Sequence, residues 1–94
     1  MRLTWTFEAL ADRNAIYSYI EGDNPRAALK LDELFAKRAA HLVSRPTIGR
    51  KGRVVNTREL VVHPNYVLIY DIVGEMIRIL RVLHTAQQWP PETP

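Results

Sequence analysis

Residues 57–83 read TRELVVHPNYVLIYDIVGEMIRILRVL and indicate the fold of the chain most clearly. This stretch contains three runs rich in Val, Ile, Leu and Tyr, the residue types that favour β-strands. These runs cover about Thr57–Val62, Tyr66–Val73 and Met76–Leu83. The links between them, His63-Pro64-Asn65 and Gly74-Glu75, have the length and residue types of tight turns. Because such short links join antiparallel neighbours, the stretch predicts a three-stranded antiparallel meander.

The middle strand of this meander is apolar on both faces. Tyr66, Leu68, Tyr70 and Ile72 alternate with Val67, Ile69 and Val73. We therefore expect a central strand, with helices on one face and a ligand, a partner or the tail of the chain on the other. In the last strand, Arg78 and Arg81 alternate onto opposite faces. We expect one of these two arginines to lie against an apolar surface.

The residues before this stretch predict one strand and two helices. Leu3, Trp5 and Phe7 alternate with polar residues, as in a half-buried strand. Apolar residues then recur at helical spacing from about Glu8 to Ile20, and Gly22 ends that helix. A second helix begins at Asn24-Pro25, because asparagine caps free amides and proline suits the first helical position.

The second helix ends at Ser44-Arg45-Pro46, because proline cannot continue it, and residues 47–53 are expected to form a loop. The short link between the two helices predicts an antiparallel hairpin. The predicted fold class is therefore α+β, with an N-terminal strand, an antiparallel two-helix hairpin and a three-stranded antiparallel meander in the order β-α-α-β-β-β.

Length and composition narrow the function classes. The 94 residues fit one domain, which we place at residues 1–89, with residues 90–94 as a flexible tail. The chain has no cysteine, its three histidines have no ligand spacing, and phosphate-binding glycine motifs are absent. We expect no metal and no cofactor. With no apolar stretch long enough for a signal peptide or a membrane span, we expect a cytoplasmic protein without membrane contact.

The net charge of +3 is unevenly distributed. Residues 45–58, called the basic segment below, contain five cations and no acid. These cations are Arg45, Arg50, Lys51, Arg53 and Arg58. Such a segment fits phosphates or an acidic protein partner, and a solvated loop without a partner is the alternative.

Three cationic residues have the chemistry of RNA cleavage. Arg58, Arg81 and His84 lie on or just after predicted strands. A general base would activate the ribose 2′-hydroxyl, arginines would stabilise the phosphorane and an acid would protonate the leaving oxygen. For His84 the alternative is a structural role at the strand end. Trp89 is either a recognition anchor for a partner or a clasp that packs back on the sheet.

Several blocks together resemble the RelE/ParE toxin superfamily along nearly the whole chain. These blocks are Tyr17-Ser18-Tyr19-Ile20, Asn24-Pro25-Arg26-Ala27-Ala28, Pro46 with Gly49-Arg50, Thr57-Arg58-Glu59-Leu60-Val61-Val62, Tyr66-Val67-Leu68-Ile69-Tyr70 and Ile79-Leu80-Arg81-Val82-Leu83-His84. Each block alone is weak, whereas their order and spacing are fairly specific. The Arg-Glu-Leu-Val and Arg-Val-Leu-His blocks point to the ParE-like branch.

The resemblance implies a bacterial toxin of a type II toxin–antitoxin system, bound in a hetero-oligomer by a cognate ParD-like antitoxin. Such an antitoxin is typically a ribbon-helix-helix protein, so operator DNA would be contacted only through the complex. Its C-terminal segment would cover the helical hairpin and the doubly apolar sheet. The expected contact residues are Tyr17, Leu31, Leu34, Phe35, Tyr66, Leu68 and Tyr70.

The resemblance also offers two targets. RelE-like members cut mRNA on the ribosome, whereas characterised ParE-like members poison DNA gyrase. RelE-like nucleases have an arginine after the tyrosine that starts the central strand, where this chain has Val67, and basic residues after the last strand, where it has Thr85-Ala86-Gln87-Gln88. The departure favours a gyrase inhibitor, which is not a hydrolytic enzyme.

The expected target contacts are Arg50, Lys51, Arg53, Arg58, Arg81, His84, Gln87 and Trp89. The alternatives are a ribosome-dependent mRNA endonuclease that uses Arg58, Arg81 and His84, and a non-toxic regulatory binding module.

Overall fold

The computed structural model describes residues 1–91, so residues 92–94 of the predicted flexible tail lie outside it. The elements are β1 (Arg2–Trp5), α1 (Phe7–Glu21), α2 (Pro25–His41), β2 (Arg50–Lys51), β3 (Thr57–His63), β4 (Tyr66–Val73) and β5 (Met76–His84). They form one five-stranded sheet in the order β1-β5-β4-β3-β2. The predicted α+β class, the helical hairpin and the antiparallel β3-β4-β5 meander are confirmed.

The first strand of the chain lies beside the last one in the sheet. β1 pairs in parallel with β5, from Arg2 opposite Met76 to Trp5 opposite Ile79. Thr6 then caps α1, because its hydroxyl accepts the amide of Ala9 at 3.1 Å and donates to the carbonyl of Leu80 at 2.9 Å. The cap therefore also fixes the helix to β5.

The sheet has a different apolar layer on each face. Toward the helices, the central side chains Leu68 and Tyr70 are fully buried against residues such as Phe35 of α2. The opposite side of the sheet, called the open face below, has a smaller cluster of Val67, Ile69 and Leu83. The doubly apolar pattern predicted for the central strand is thus present, and β4 lies third of the five strands.

The prediction of a plain loop at residues 47–53 is wrong, since β2 pairs there with β3. The cause is a contact between residues far apart in the sequence. The Tyr70 hydroxyl accepts the amide of Gly49 at 2.9 Å and donates to the carbonyl of Pro46 at 2.8 Å. A Cβ at Gly49 would lie only 2.6 Å from the same oxygen, so the close approach requires glycine.

The two arginines of β5, one of which is expected against an apolar surface, are both paired with carboxylates. The register between β4 and β5 shifts, with Ile69 opposite Arg81 but Tyr70 opposite Ile79. This β-bulge interrupts the simple alternation on which the prediction rested. Arg81 instead forms an ion pair with Asp12 of α1, and Arg78 forms one with its cross-strand neighbour Asp71.

Within residues 1–91, none of the helices has both the length and the apolar character needed to cross a membrane.

Candidate functional site

A small cleft of about 50 Å³ lies on the open face, between the basic segment and the end of β5. It is called the open-face cleft here. Its lining residues are Arg50, Arg53, Glu59, Val61, Val67, Ile69, Leu83, His84, Thr85, Gln87 and Trp89. The cleft thus brings together five of the eight expected target contacts, namely Arg50, Arg53, His84, Gln87 and Trp89. Lys51, Arg58 and Arg81 do not line it.

Glu59 holds the basic segment against the sheet. It is only 5% exposed, and its Oε1 accepts from Arg50 Nη2 at 3.2 Å. Its Oε2 accepts the backbone amide of Arg53 at 3.1 Å. A buried carboxylate is costly unless it is paired, so these two contacts explain why an acid is tolerated among apolar neighbours. The guanidinium of Arg50 stays largely in solvent, with 64% of the side chain exposed.

Sequence reasoning did not select Glu59 as a site residue. The available signal was its position in the Arg-Glu-Leu-Val-Val run of β3, directly after five cations without an acid. In such a run, a carboxylate on the strand face opposite Leu60 and Val62 is the nearest anion for the basic segment.

The C-terminal segment forms a clasp over the open face. Trp89 packs against the cluster of Val67, Ile69 and Leu83. The segment is tied down where the Thr85 amide donates to the carbonyl of Asn65 at 2.8 Å. Of the two interpretations of Trp89, the structure shows the clasp. The indole Nε1 is buried, and no acceptor for it is found within residues 1–91.

The imidazole of His84 has structural contacts on two sides. Its Nδ1 accepts the amide of Ala86 at 3.0 Å, and its ring stands edge-on to that of Tyr66 with centroids 5.3 Å apart. Since Nδ1 is an acceptor, the neutral ring has its proton on Nε2. His63 caps its own turn in the same way, accepting the amide of Asn65 at 3.1 Å. His84 is therefore a strand-end residue that also lines the open-face cleft.

The three residues of the nuclease alternative are not assembled at one point. Arg58 lies opposite Tyr70 and His84 lies opposite Tyr66, so the two are separated by four residues along β4, roughly 13 Å. Arg58 points to the helix side, where its Nη1 donates to the carbonyl of Gly49 at 2.8 Å. Arg58 therefore holds the backbone of the basic segment in place at Gly49.

Arg81 forms an ion pair with Asp12 of α1. Its Nε and Nη2 donate to the two oxygens of Asp12 at 2.7 and 3.0 Å. These hydrogen bonds raise the pKa of the Arg81 guanidinium, against the opposing effect of partial burial. Asp12 also accepts the backbone amide of Val82 at 2.9 Å, so it closes the edge of β5 beyond the end of β1. The charge of Arg81 is therefore neutralised inside the molecule.

The expected antitoxin contacts divide by burial. Phe35, Leu68 and Tyr70 are 1% exposed or less and belong to the core, so they offer no surface to a partner. Their apolar pattern indicated burial in this chain rather than binding. Tyr17, Leu31, Leu34 and Tyr66 are half-buried. The apolar helix side chains that reach furthest into solvent were not selected from the sequence, and they are Phe7, Leu10, Tyr19 and Leu29.

No group of three or more His, Cys, Asp or Glu side chains in the described part of the chain is arranged to hold a metal ion.

Comparisons with known proteins agree with this architecture. The family model described as the ParE toxin of the type II toxin–antitoxin system parDE matches residues 3–89. Y4kP, a protein of Sinorhizobium fredii named as a candidate toxin, is 39% identical over 90 residues, which cover 95% of this chain and 93% of that protein. Toxin RelE2 of Caulobacter vibrioides is 36% identical over 86 residues, covering 92% of this chain and 97% of its own.

Two solved structures share the fold. A chain of the chromosomal ParDE toxin–antitoxin system from P. aeruginosa has a TM-score of 0.80 and 30% sequence identity, covering 89% of this chain and 95% of its own. The conserved hypothetical protein HP0894 from Helicobacter pylori has a TM-score of 0.59 at 15% identity, covering 93% of this chain and 97% of its own, and shows the fold alone. With a family match from residue 3 to residue 89, this chain belongs to the ParE toxin family of type II toxin–antitoxin systems.

Proposed function

We propose that this chain arrests bacterial growth in the cytoplasm by binding DNA gyrase and stabilising its cleaved-DNA state. The main support for the proposal is that the two arginines required by the nuclease alternative are already paired within the chain. Arg58 and Arg81 are both held by contacts within the chain, and they lie on different strands away from the open-face cleft. The residues that remain available are those of a contact surface.

This contact surface consists of the rim of the open-face cleft and the exposed part of the basic segment. Arg50 and Arg53 are exposed on the rim, beside the Trp89 clasp, and Lys51 is exposed next to Arg50 in β2, outside the cleft. Exposed cations on a rigid rim attract an acidic partner and accelerate its association. Because Glu59 fixes the backbone at Arg53, the cations are presented without a large ordering cost.

Charge reversal tests the proposed surface. Purified gyrase is titrated with the wild-type chain, with Lys51→Glu and with Lys37→Glu, which reverses an exposed lysine on α2. We expect Lys51→Glu to need about ten times more protein for half-maximal inhibition of supercoiling, equivalent to loss of one contact of the basic segment worth about 1.4 kcal/mol. Lys37→Glu should act like the wild type. Equal inhibition by all three proteins would contradict the proposed surface.

We also propose a cognate ParD-like antitoxin that covers the helical hairpin and links the complex to operator DNA. The proposal is supported by the P. aeruginosa structure, which is a ParDE toxin–antitoxin system. The half-buried side chains Tyr17, Leu31 and Leu34 are the contacts expected of the hairpin. Co-expression with the product of the adjacent gene should yield a complex that survives gel filtration, whereas the purified toxin alone should not bind the operator.

A second candidate function is ribosome-dependent mRNA cleavage, and one observation favours it. Glu59 and His84 line the same cleft as Arg50 and Arg53. One carboxylate and one imidazole lie there for acid–base chemistry, and two guanidiniums for stabilising the charge of a phosphorane. Primer extension on translated mRNA would then show cuts at fixed codon positions that disappear in His84→Ala. If no cuts appear, the second candidate is excluded.

The third candidate function is that of a non-toxic regulatory binding module. Expression of the chain without an antitoxin distinguishes it, because undisturbed growth despite abundant folded protein would exclude both toxic mechanisms.

A further inference from the structure

A second, open cleft of about 940 Å³ lies where the β2–β3 hairpin ends beside the turn between β4 and β5. It is called the hairpin-tip cleft here. β3 begins at Thr57, opposite Asp71, whereas β4 continues to Val73. Within residues 1–91, Ile72 and Val73 pair only with β5, so the other side of this short stretch of β4 is an open sheet edge.

The loop that joins β2 to β3 is closed by its own hydrogen bonds. The Gly52 amide donates to the carbonyl of Thr57 at 2.8 Å. The amide and the hydroxyl of Thr57 both donate to the carbonyl of Val54, at 3.1 and 2.6 Å. Asn56 has a φ of 67°, in the left-handed region that asparagine adopts more readily than most residues. The loop therefore presents Val55, which is 83% exposed, on a preformed wall of the cleft.

Both walls of the hairpin-tip cleft are apolar. Val54 and Val55 line it on the loop side, and Ile72 and Val73 line it on the side of β4. Val73 is 55% exposed, although it is a strand residue. Exposed apolar side chains that are grouped around a cleft, rather than scattered, indicate a place where another molecule binds.

Two cations of this cleft face each other across the sheet. Lys51 of β2 lies directly opposite Arg58 of β3, so the two side chains are on the same face and repel each other. Within residues 1–91, neither cation forms an ion pair with a carboxylate. Asp71, the one acid that lines the cleft, is instead paired with Arg78. An anionic group bound between Lys51 and Arg58 would remove this repulsion.

We propose that the hairpin-tip cleft binds an extended segment of a partner protein in which carboxylates alternate with apolar side chains. In an extended segment, successive side chains point to opposite faces. One face places a carboxylate beside Lys51 and Arg58, and the other places an apolar side chain against Val73. The backbone of the segment pairs with the open edge of β4, as in other cases of β-strand addition.

The apolar walls favour a peptide over a nucleic acid as the bound molecule. A sugar–phosphate backbone would satisfy Lys51 and Arg58, but it has no aliphatic side chains to cover Val55 and Val73. A peptide with alternating acidic and apolar side chains satisfies both the cations and the valines.

A titration of the isotope-labelled full chain, followed by NMR, tests the proposal. The probe is a blocked hexapeptide of alternating glutamate and valine, and its control has glutamine in place of each glutamate. We expect the glutamate peptide to shift the amide resonances of residues 51–58 and 72–74. Its Kd should be about ten times lower than that of the glutamine peptide, because only the glutamate peptide brings carboxylates to the two cations.

A matched pair of variants tests the position of the bound peptide. Val55→Glu adds a carboxylate to the loop wall of the cleft, and Val43→Glu makes the same change at an exposed valine that does not line it. Val55→Glu should weaken binding of the glutamate peptide at least about fivefold by repulsion, whereas Val43→Glu should bind it like the wild type.

Three results overturn the proposal: no shifts in either segment, equal binding of the two peptides by the wild type, or full binding of the glutamate peptide by Val55→Glu. A short single-stranded oligonucleotide is titrated in parallel. If it shifts the same resonances at lower concentration than the glutamate peptide, the cleft binds nucleic acid and the peptide proposal is excluded.

Discussion

At the scale of single residues, Tyr70 connects the hydrophobic core to the basic segment. Its ring is fully buried, and its hydroxyl is bonded to both Gly49 and Pro46. We expect Tyr70→Phe to lower the free energy of unfolding by about 1–3 kcal/mol, because the Gly49 amide loses its acceptor in a buried position. Urea denaturation measures this change. Tyr19→Phe, at a ring that is 82% exposed, is the control and should cost almost nothing.

Tyr70 also makes the stability of the folded chain depend on pH. Burial raises the pKa of the Tyr70 phenol, although the Gly49 hydrogen bond and Arg58 act in the opposite direction. The unfolded chain therefore releases this proton first, near the ordinary tyrosine value of about 10. The stability contribution is complete below that pH and is lost as the pH rises toward the folded pKa. Above about pH 10, the wild type should lose more stability than Tyr70→Phe as the pH rises, and parallel curves would exclude this role of the phenol.

Asp12 is the second residue with a large expected effect. It accepts two hydrogen bonds from Arg81 and one from the amide of Val82. Both side chains of the ion pair are partly screened from water, with 17% of Asp12 and 29% of Arg81 exposed. We expect Asp12→Ala to cost about 2–4 kcal/mol, since it leaves a partly buried arginine without its anion. Thermal unfolding should show a much smaller change for the exposed Asp23→Ala, and equal changes would exclude this role.

At the scale of elements, the clasp covers the apolar cluster of the open face. With Trp5 replaced by Phe, Trp89 becomes the only fluorophore of its kind in the chain. Its fluorescence should be protected from iodide, because the ring packs on Val67, Ile69 and Leu83. Trp89→Ala should lower the free energy of unfolding by about 1–3 kcal/mol, less than a fully buried tryptophan would. Quenching as strong as that of free tryptophan would show that the clasp is open in solution.

The sequence predicts the elements whose ends are fixed by neighbouring residues. Asn24-Pro25 begins α2 through its own cap, with the Asn24 side chain accepting the Ala27 amide at 3.1 Å. The strand β2 and the bulge near Arg81 could not be predicted in this way. They depend on Tyr70, which lies 21 residues from Gly49, and on Asp12, which lies 69 residues from Arg81.

The candidate site shows the same division between local and distant causes. Arg50, Arg53 and Trp89 were predictable because charge density and a terminal tryptophan are visible in the sequence. Glu59 was missed because its function is to hold two of those cations, and this depends on tertiary contacts. The pairing of Arg81 with Asp12 could not be predicted, because simple strand alternation cannot anticipate a bulge.

At the scale of the whole molecule, charge is divided between the two halves of the chain. Residues 1–44, which include both helices, contain six cations and six acids, whereas residues 45–91 contain seven cations and three acids. The half of the chain that contains the helices therefore has no net charge, whereas the basic segment and the open-face cleft form a cationic surface. This division fits the two proposed partners, with the antitoxin on the helices and the target on the sheet side.

The proposed action of this toxin is on gyrase, through the cleaved-DNA state of the enzyme. Its most direct test is incubation of purified gyrase and supercoiled plasmid with a stoichiometric excess of the toxin, followed by denaturation and protease treatment. A gyrase poison should yield linear plasmid in proportion to the toxin added, and prior addition of the cognate antitoxin should abolish it. Unchanged supercoiling activity without linear DNA, from a toxin that still arrests growth, would contradict the claim.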